Sequence, residues 1–218
     1  MKKVIAIDGP SGAGKSTIAK LIAKELGFEY LDTGALYRAV ALSLRDSGVN
    51  PEDSDKRLGE ILLRTHITYT SGSVFLHGRD VSEDIRSKEI DHYSSVFSAK
   101  KIVRDFLFDI QRNAASTSDI VVEGRDTTTV LFPNAWKKIY LDASLEERAK
   151  RRYLQFKEKG MYISIEEAKE DVMRRDKRDA NRDIAPLKRA DAALAIDSSN
   201  LSVEHVKEKM LEFIRAEP

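Results

Sequence analysis

Val4-Ile5-Ala6-Ile7 is an unbroken apolar run near the start of the chain, ending at Asp8, and it predicts a buried strand over Lys3–Ile7. The period then changes. Ile18, Leu21, Ile22 and Leu26 fall on one face of a helix that begins near Lys15, with Gly27 placed to close it. Phe28-Glu29-Tyr30-Leu31 predicts a second short strand. Strand, helix, strand is a βαβ unit, which implies a parallel sheet with a right-handed crossover. A further helix is expected from about Thr33, with Tyr37 and Arg38 in its first turn. Ile67–Thr70 and Val74–Leu76, separated by Ser71-Gly72-Ser73, predict a hairpin, and Arg79-Asp80-Val81 a third short strand beside it. A small antiparallel patch inside an α/β chain reads as an insertion.

Apolar positions from Ser87 to Ala115 follow a mainly helical spacing, with Ser95 and Arg104 as polar positions among them. Strands are expected again at Asp119–Val122, Lys138–Asp142 and Ala192–Asp197. Ser144 with Glu147, and Ser164 with Glu167, have the spacing of capping boxes that open two helices. Val206, Met210, Leu211 and Ile214 form the apolar face of a closing helix that starts at Ser202.

The connection between the first strand and first helix is Gly9-Pro10-Ser11-Gly12-Ala13-Gly14-Lys15-Ser16-Thr17. Glycines let the backbone curl until successive N–H groups point inward, and the helix after them aims its positive end at the same place. A lysine and a hydroxyl at that offset suit a triphosphate and its Mg²⁺: Lys15 for the β- and γ-phosphates, Ser16 for the metal. A strand in front and a helix behind distinguish this loop from a chance glycine-rich turn.

Composition narrows the remainder. At 218 residues, with 41% hydrophobic and 33% charged residues, the chain suits one soluble globular domain with a small insertion. It has no cysteine, which excludes disulfides and thiolate metal sites. No apolar run has the length of a membrane span, and the first strand starts almost at the first residue, so no signal peptide, no membrane partner and a cytoplasmic location are expected. Net charge is +1, so no nucleic-acid partner is expected, but Arg148–Arg189 holds fourteen Lys and Arg against eight Asp and Glu. A local basic excess on a nearly neutral chain fits a concentrated anionic ligand. His66, His77 and His92 share no spacing and are not expected to bind metal.

Two more stretches carry chemistry. Leu31-Asp32-Thr33-Gly34-Ala35-Leu36-Tyr37-Arg38 spans the end of the second strand, where ligands bind in parallel sheets. Asp119-Ile120-Val121-Val122-Glu123-Gly124-Arg125-Asp126 is an apolar strand with three charged groups at its tip, and Glu123 is the expected Mg²⁺ partner, through water. Many arginines and no evident catalytic His or Cys point to phosphoryl transfer, which needs positioning and charge neutralisation more than covalent help. An acceptor that is itself a phosphate needs no base; the task is then to bring two anions together. Arg38, Arg125, Arg175 and Arg182 are candidates for that neutralisation.

These motifs, with Val130-Leu-Phe-Pro133, Leu141-Asp-Ala-Ser144, Arg178-Asp-Ala-Asn-Arg182 and Ala185-Pro-Leu187, together resemble the bacterial-type cytidylate kinase family over essentially the whole chain. The resemblance implies a nucleoside monophosphate kinase fold: a five-stranded parallel sheet, an acceptor-binding insertion at about 62–95, a lid at about 148–189, and a core of 1–61, 96–147 and 190–218. It implies transfer from ATP, with Mg²⁺, to CMP or dCMP by a monomer. By position, Gly9, Pro10, Ser11, Gly12, Ala13, Gly14, Lys15, Ser16 and Thr17 would bind ATP, joined by the lid arginines Arg148, Arg152 and Arg178. Thr33, Tyr37, Arg38, Arg125, Arg175 and Arg182 would surround the acceptor and its phosphate, with Lys15, Arg125, Arg175 and Arg182 assisting transfer. Ser95, Arg104 and Asp126 would read cytosine, and Asp179 the ribose. Cytosine offers an exocyclic amine to Asp126 where uracil offers only an oxygen, so preference for CMP over UMP is expected.

One departure stands out. Thr127-Thr128 follow Gly-Arg-Asp where the family usually has a large apolar residue and then Gly. A small-molecule kinase of the same fold, such as a shikimate or gluconate kinase, and a nucleotide-binding module without turnover are the competing readings.

Overall fold

Five parallel strands form the central sheet, and the phosphate loop leaves its middle strand. The computed structural model describes residues 2–70 and 72–216. In chain order the sheet strands are β1 (Val4–Asp8), β2 (Glu29–Asp32), β6 (Ile120–Gly124), β7 (Lys137–Asp142) and β8 (Leu194–Asp197). Their spatial order is β2-β6-β1-β7-β8. β1 pairs with β6 on one side, Ile7 opposite Glu123, and with β7 on the other, Ile7 opposite Ile139. The chain crosses from β1 over β6 to reach β2, so the sheet changes its winding direction at β1. Such a switch point leaves a crevice at the strands' C-terminal ends.

Helices cover both faces, and side-chain alternation sorts the core between them. Ile5, Ile7, Val121, Ile139 and Leu141 pack with Ile18 and Ile22 of α1 (Lys15–Leu26) and Met210 and Ile214 of α8 (Val203–Arg215). Leu31, Ile120 and Val122 point to the opposite face. There they meet α2 (Thr33–Asp46), α3 (Asp55–Leu62), α4 (Lys88–Phe97) and α5 (Lys101–Ala114), through Leu36, Leu58, Phe97 and Leu107. α3 was not evident in the sequence: only Leu58 and Leu62 of its eight residues are buried, behind the Ser54 N-cap. A second sheet, β3 (Ile67–Thr70), β4 (Ser73–Leu76) and β5 (Arg79–Asp80), is the expected antiparallel insertion. α6 (Leu145–Glu158) and α7 (Ile165–Asn181) pack on each other beyond β7.

Several local expectations are corrected. The helical stretch from Ser87 is two helices, α4 and α5, broken at Ser98–Lys100. The break leaves the Ser98 carbonyl to accept from Arg104 Nη1 at 3.1 Å. Ser164 and Glu167 form a full capping box at α7. At α6 the Ser144 hydroxyl accepts from the Glu147 N–H at 3.2 Å, but the Glu147 carboxylate turns to Arg151 at 3.0 Å and the Ser144 N–H donates to Ser199. Among the described residues no helix is long and apolar enough to cross a membrane.

Candidate nucleotide-binding site

The crevice at the C-terminal edge of the sheet holds a cavity of about 520 Å³ lined by the glycine-rich loop, the start of α2, α4, the tip of β6 and both α6 and α7. Two loop glycines are required by close approach. A Cβ on Gly9 would lie 1.9 Å from the Leu141 carbonyl oxygen, and one on Gly12 would press into the Arg148 backbone. Gly14 is the left-handed N-cap of α1, φ 93°, so the first N–H groups of α1 open toward the cavity. Lys15 is 5% exposed and its Nζ donates to the Pro10 carbonyl at 2.7 Å. Burial, then the nearby Arg125, pushes its ammonium down to about 7 against the pull of Glu123.

Glu123, at the end of β6, is buried across the same edge. Burial and the neighbouring Asp32 push its carboxyl up, opposed by Lys15 and by hydrogen bonds from Ser16 and Tyr30. The Tyr30 hydroxyl donates to it at 2.7 Å. A carboxylate beside the Ser16 hydroxyl is an oxygen donor set suited to Mg²⁺, which takes one or two protein oxygens and leaves its other positions to water and phosphate.

Next to Glu123 the backbone is crowded: a Cβ on Gly124 would sit 2.6 Å from both Thr33 Oγ1 and Thr127 Cγ2. Thr33 Oγ1 donates to the Glu123 carbonyl at 2.7 Å. Asp32 caps α2 by accepting from the Ala35 N–H at 3.0 Å. Since α2 begins at Thr33, Arg38 lies in its second turn and not its first. Its side chain reaches back along the helix to Asp32 at 2.9 Å.

On the far side of the cavity, Arg104 joins Asp126 and lies over the Tyr37 ring, 5.5 Å from its centroid. Arg182 reaches the other Asp126 oxygen at 3.2 Å. Burial raises the Asp126 carboxyl in spite of both arginines. Arg125 Nε donates to Asp179 at 2.9 Å. Burial pushes Asp179 up, but Arg125, Arg175 and Arg182 outweigh it and hold the carboxyl below its usual range. Among the described residues, Ser95 Oγ, Arg38 Nε and Arg175 Nε are buried without a hydrogen-bond partner. Buried polar atoms are nearly always paired, and all three residues line the cavity.

The three arginines that the resemblance assigns to a lid divide. Arg148 Nη1 donates to the Ser11 carbonyl of the loop at 3.1 Å and pairs with Asp176, which also accepts from the Ser11 N–H. Arg152 turns instead to Asp91 of α4 and Asp171 of α7. Arg178 lines a second cavity, away from the phosphate loop, with Lys88, His92 and Arg174; Arg152 and Asp91 also border it. Arg151, to which the sequence assigned no role, donates to the Ala13 carbonyl at 3.1 Å and to Ser198.

The sequence reading also passed over four carboxylates. Asp8 was read only as a strand end. Asp32 lay in a quoted motif, and its place before a helix marks it as an N-cap. Asp176 shares a helical spacing with Asp179 that could have flagged it. Asp91, between Ile90 and His92, carried no such signal.

The Thr127-Thr128 departure has a structural counterpart. Residues Thr127–Leu131 form a π-helical turn. Asp8, fully buried, accepts from the Thr127 N–H at 2.9 Å and hydroxyl at 2.7 Å, and from the Thr128 N–H at 2.7 Å and hydroxyl at 2.6 Å.

A glycine-rich phosphate loop at the switch point of a five-stranded parallel sheet, faced by an arginine-lined cavity, defines a P-loop kinase. Solved structures agree at the level of fold. A shikimate kinase from Bacteroides thetaiotaomicron superposes with a TM-score of 0.51 at 11% identity, covering 98% of this chain and 99% of that one. An uncharacterised protein from Eubacterium ventriosum gives 0.57 at 12%, covering 99% and 100%. Sequence narrows the class: the profile described as cytidylate kinase matches residues 5–216. The cytidylate kinase of Thermodesulfovibrio yellowstonii is 53% identical over 94% of this chain and 95% of its own length. That of Geobacter sulfurreducens is 45% identical over 97% and 92%. The chain belongs to the cytidylate kinase family.

Proposed function

We propose that this protein transfers the γ-phosphoryl group of ATP to CMP or dCMP, forming the nucleoside diphosphate and ADP. The observation that carries the acceptor half is the set of buried, unpartnered polar atoms, Ser95 Oγ, Arg38 Nε and Arg175 Nε, around one cavity shared with the phosphate loop. Their chemistry matches a monophosphate and a base.

The acceptor is a phosphate oxygen that is already ionised, so no side chain need remove a proton. The protein's work is alignment and neutralisation. The loop N–H groups and Lys15 hold the donor's phosphates. Arg38, Arg125, Arg175 and Arg182 screen the repulsion between donor and acceptor as their oxygens approach, and Thr33 and Tyr37 wall the acceptor side. Ser95, Arg104 and Asp126 read the cytosine edge, and Asp179 the ribose hydroxyls. Ser16 directly, and Glu123 through water, would hold Mg²⁺, which supplies charge neutralisation on the donor phosphates.

The helical pair α6–α7 serves as the lid, bringing Arg148 to the phosphate loop and Arg152 and Arg175 to the acceptor side, and excluding water. The antiparallel sheet and α4 form the acceptor arm. All these groups come from one chain, so a monomer suffices.

A coupled assay with Mg²⁺-ATP tests the reading against CMP, dCMP, UMP and AMP. CMP and dCMP are expected to turn over. UMP is expected to fall at least about tenfold behind in kcat/KM, the cost of facing Asp126 with an oxygen in place of an amine. Equal kcat/KM for CMP and UMP, or ADP release driven by shikimate or gluconate, would overturn it.

A further inference from the structure

Asp91 lies on α4, outside every motif that carries the family resemblance, yet it sits where three parts of the molecule meet. Its Oδ2 accepts from Arg152 Nη2 of α6 at 2.9 Å. Its Oδ1 lies 3.7 Å from Arg38 Nη1 of α2 and 3.9 Å from Arg175 Nη1 of α7. The Asp91 side chain is 14% exposed. Burial alone would push its carboxyl up, but Arg175, Arg38 and Arg152 together pull it down to about 2.

The other acid of α4 with a partner, Glu89, turns outward to Arg45. Two more contacts join the same bodies: Lys159 Nζ at the end of α6 donates to the Arg86 carbonyl at 2.9 Å, and Lys88 Nζ lies 5.8 Å over the Phe156 ring. The acceptor arm and the helical pair therefore grip each other directly, and Asp91 is the anion at the centre of the grip. Two of its three arginines, Arg38 and Arg175, each also hold a buried Nε with no partner.

We propose that Asp91 is a positioning residue that couples the two nucleotide sites. One carboxylate sets Arg38 and Arg175 for the acceptor phosphate and, through Arg152, fixes α6–α7 over the donor loop. Ordering α4 by the acceptor then orders the helical pair for ATP, and the reverse follows by linkage. Without the charge, Arg38 keeps Asp32 and Arg152 keeps Asp171, but the three guanidinium groups lose the one anion they share, and their mutual repulsion loosens the helical pair from α4. The inference rests on the function proposed above.

Titration calorimetry tests it, using CMP and the β,γ-imido analogue of ATP with Mg²⁺. In the unaltered protein CMP tightens binding of the analogue at least about fivefold. In Asp91→Asn that factor falls below about twofold, while each nucleotide alone binds within about threefold of its original Kd. Asp91→Glu, which keeps the charge, restores coupling. Should Asp91→Asn not fold, Asp91→Ser removes the same carboxylate, and its 2.9 Å bond to Arg152, with a smaller side chain and must show the same loss.

Coupling retained in a folded Asp91→Asn or Asp91→Ser protein overturns the proposal. So does loss of binding of each nucleotide on its own, which marks a general scaffold role. So does an unaltered protein that binds both nucleotides without coupling. An unaltered protein that binds neither nucleotide defeats the function itself, and this inference with it; there the unaltered protein fails, not the variants.

Discussion

Replacing Thr128 with valine should destabilise the protein by about 2 kcal/mol. Valine keeps the shape of the side chain and the backbone N–H, and removes only the hydroxyl that donates to Asp8 Oδ2 at 2.6 Å. Asp8 is completely buried, and its described hydrogen-bond donors are the N–H and hydroxyl groups of Thr127 and Thr128. A hydrogen bond to a charged group contributes roughly 1.5–3 kcal/mol, and a buried carboxylate that loses one of four donors cannot recruit water in exchange. For a chain of this size that is roughly 4–8 °C in Tm. Thr128→Gly should lose about 0.5–1 kcal/mol more, because glycine adds backbone freedom to the unfolded chain. Urea unfolding at pH 7 measures both. In a double-mutant cycle with Asp8→Asn, most of the valine effect should disappear, since the bond's ionic partner is gone. Arg125 and Asp126 lead directly into this turn, so KM for CMP should rise more than KM for ATP. A Thr128→Val protein within about 0.5 kcal/mol of the original would refute the claim that these hydroxyls compensate Asp8's burial.

Lys15→Met should lower kcat by at least about a hundredfold with little change in Tm, because it removes a buried cation from the loop without removing its glycines; rapid-quench assays measure the loss. Gly124→Ala places a methyl 2.6 Å from Thr33 Oγ1 and Thr127 Cγ2. It should cost about 1–3 kcal/mol in urea unfolding and raise KM for CMP. For Asp91 the folded carboxyl sits at about 2 against 3.8 for a free aspartate side chain, so its contribution is complete above about pH 4 and is lost as pH falls through about 2. The stability gap between the unaltered protein and Asp91→Asn should therefore shrink by about 2 kcal/mol between pH 5 and pH 2, read by urea unfolding across that range.

Most of the architecture could be read without coordinates because its signals are local. A continuous apolar strand, three glycines and Lys-Ser ahead of an i, i+3, i+4 helix specify a phosphate loop through short-range sterics and backbone hydrogen bonding. The closing helix from Ser202, the box at Ser164 and Glu167, and the hairpin around Gly72 are local in the same way. The break at Ser98–Lys100 was hidden because the apolar spacing continues through it, and α3 because two buried leucines make a weak stripe. Glu123, Arg125 and Asp126 could be named as candidate site residues from their place at a strand tip, and the fold sets them on the cavity wall.

Which charge meets which was decided only by the folded chain. Arg152 and Arg178 look alike along α6 and α7, yet Arg152 pairs with Asp91 and lines both cavities, while Arg178 lines the second. Asp8 gains its four donors from residues 119 and 120 positions away. Asp91 gains its meaning from arginines on α2, α6 and α7. Coulomb energy and desolvation depend on distance in space and on burial, and neither varies in step with separation along a chain. The residue types needed to hold two phosphates are written in the sequence; the network that aims them exists only once the sheet has brought its strand ends together.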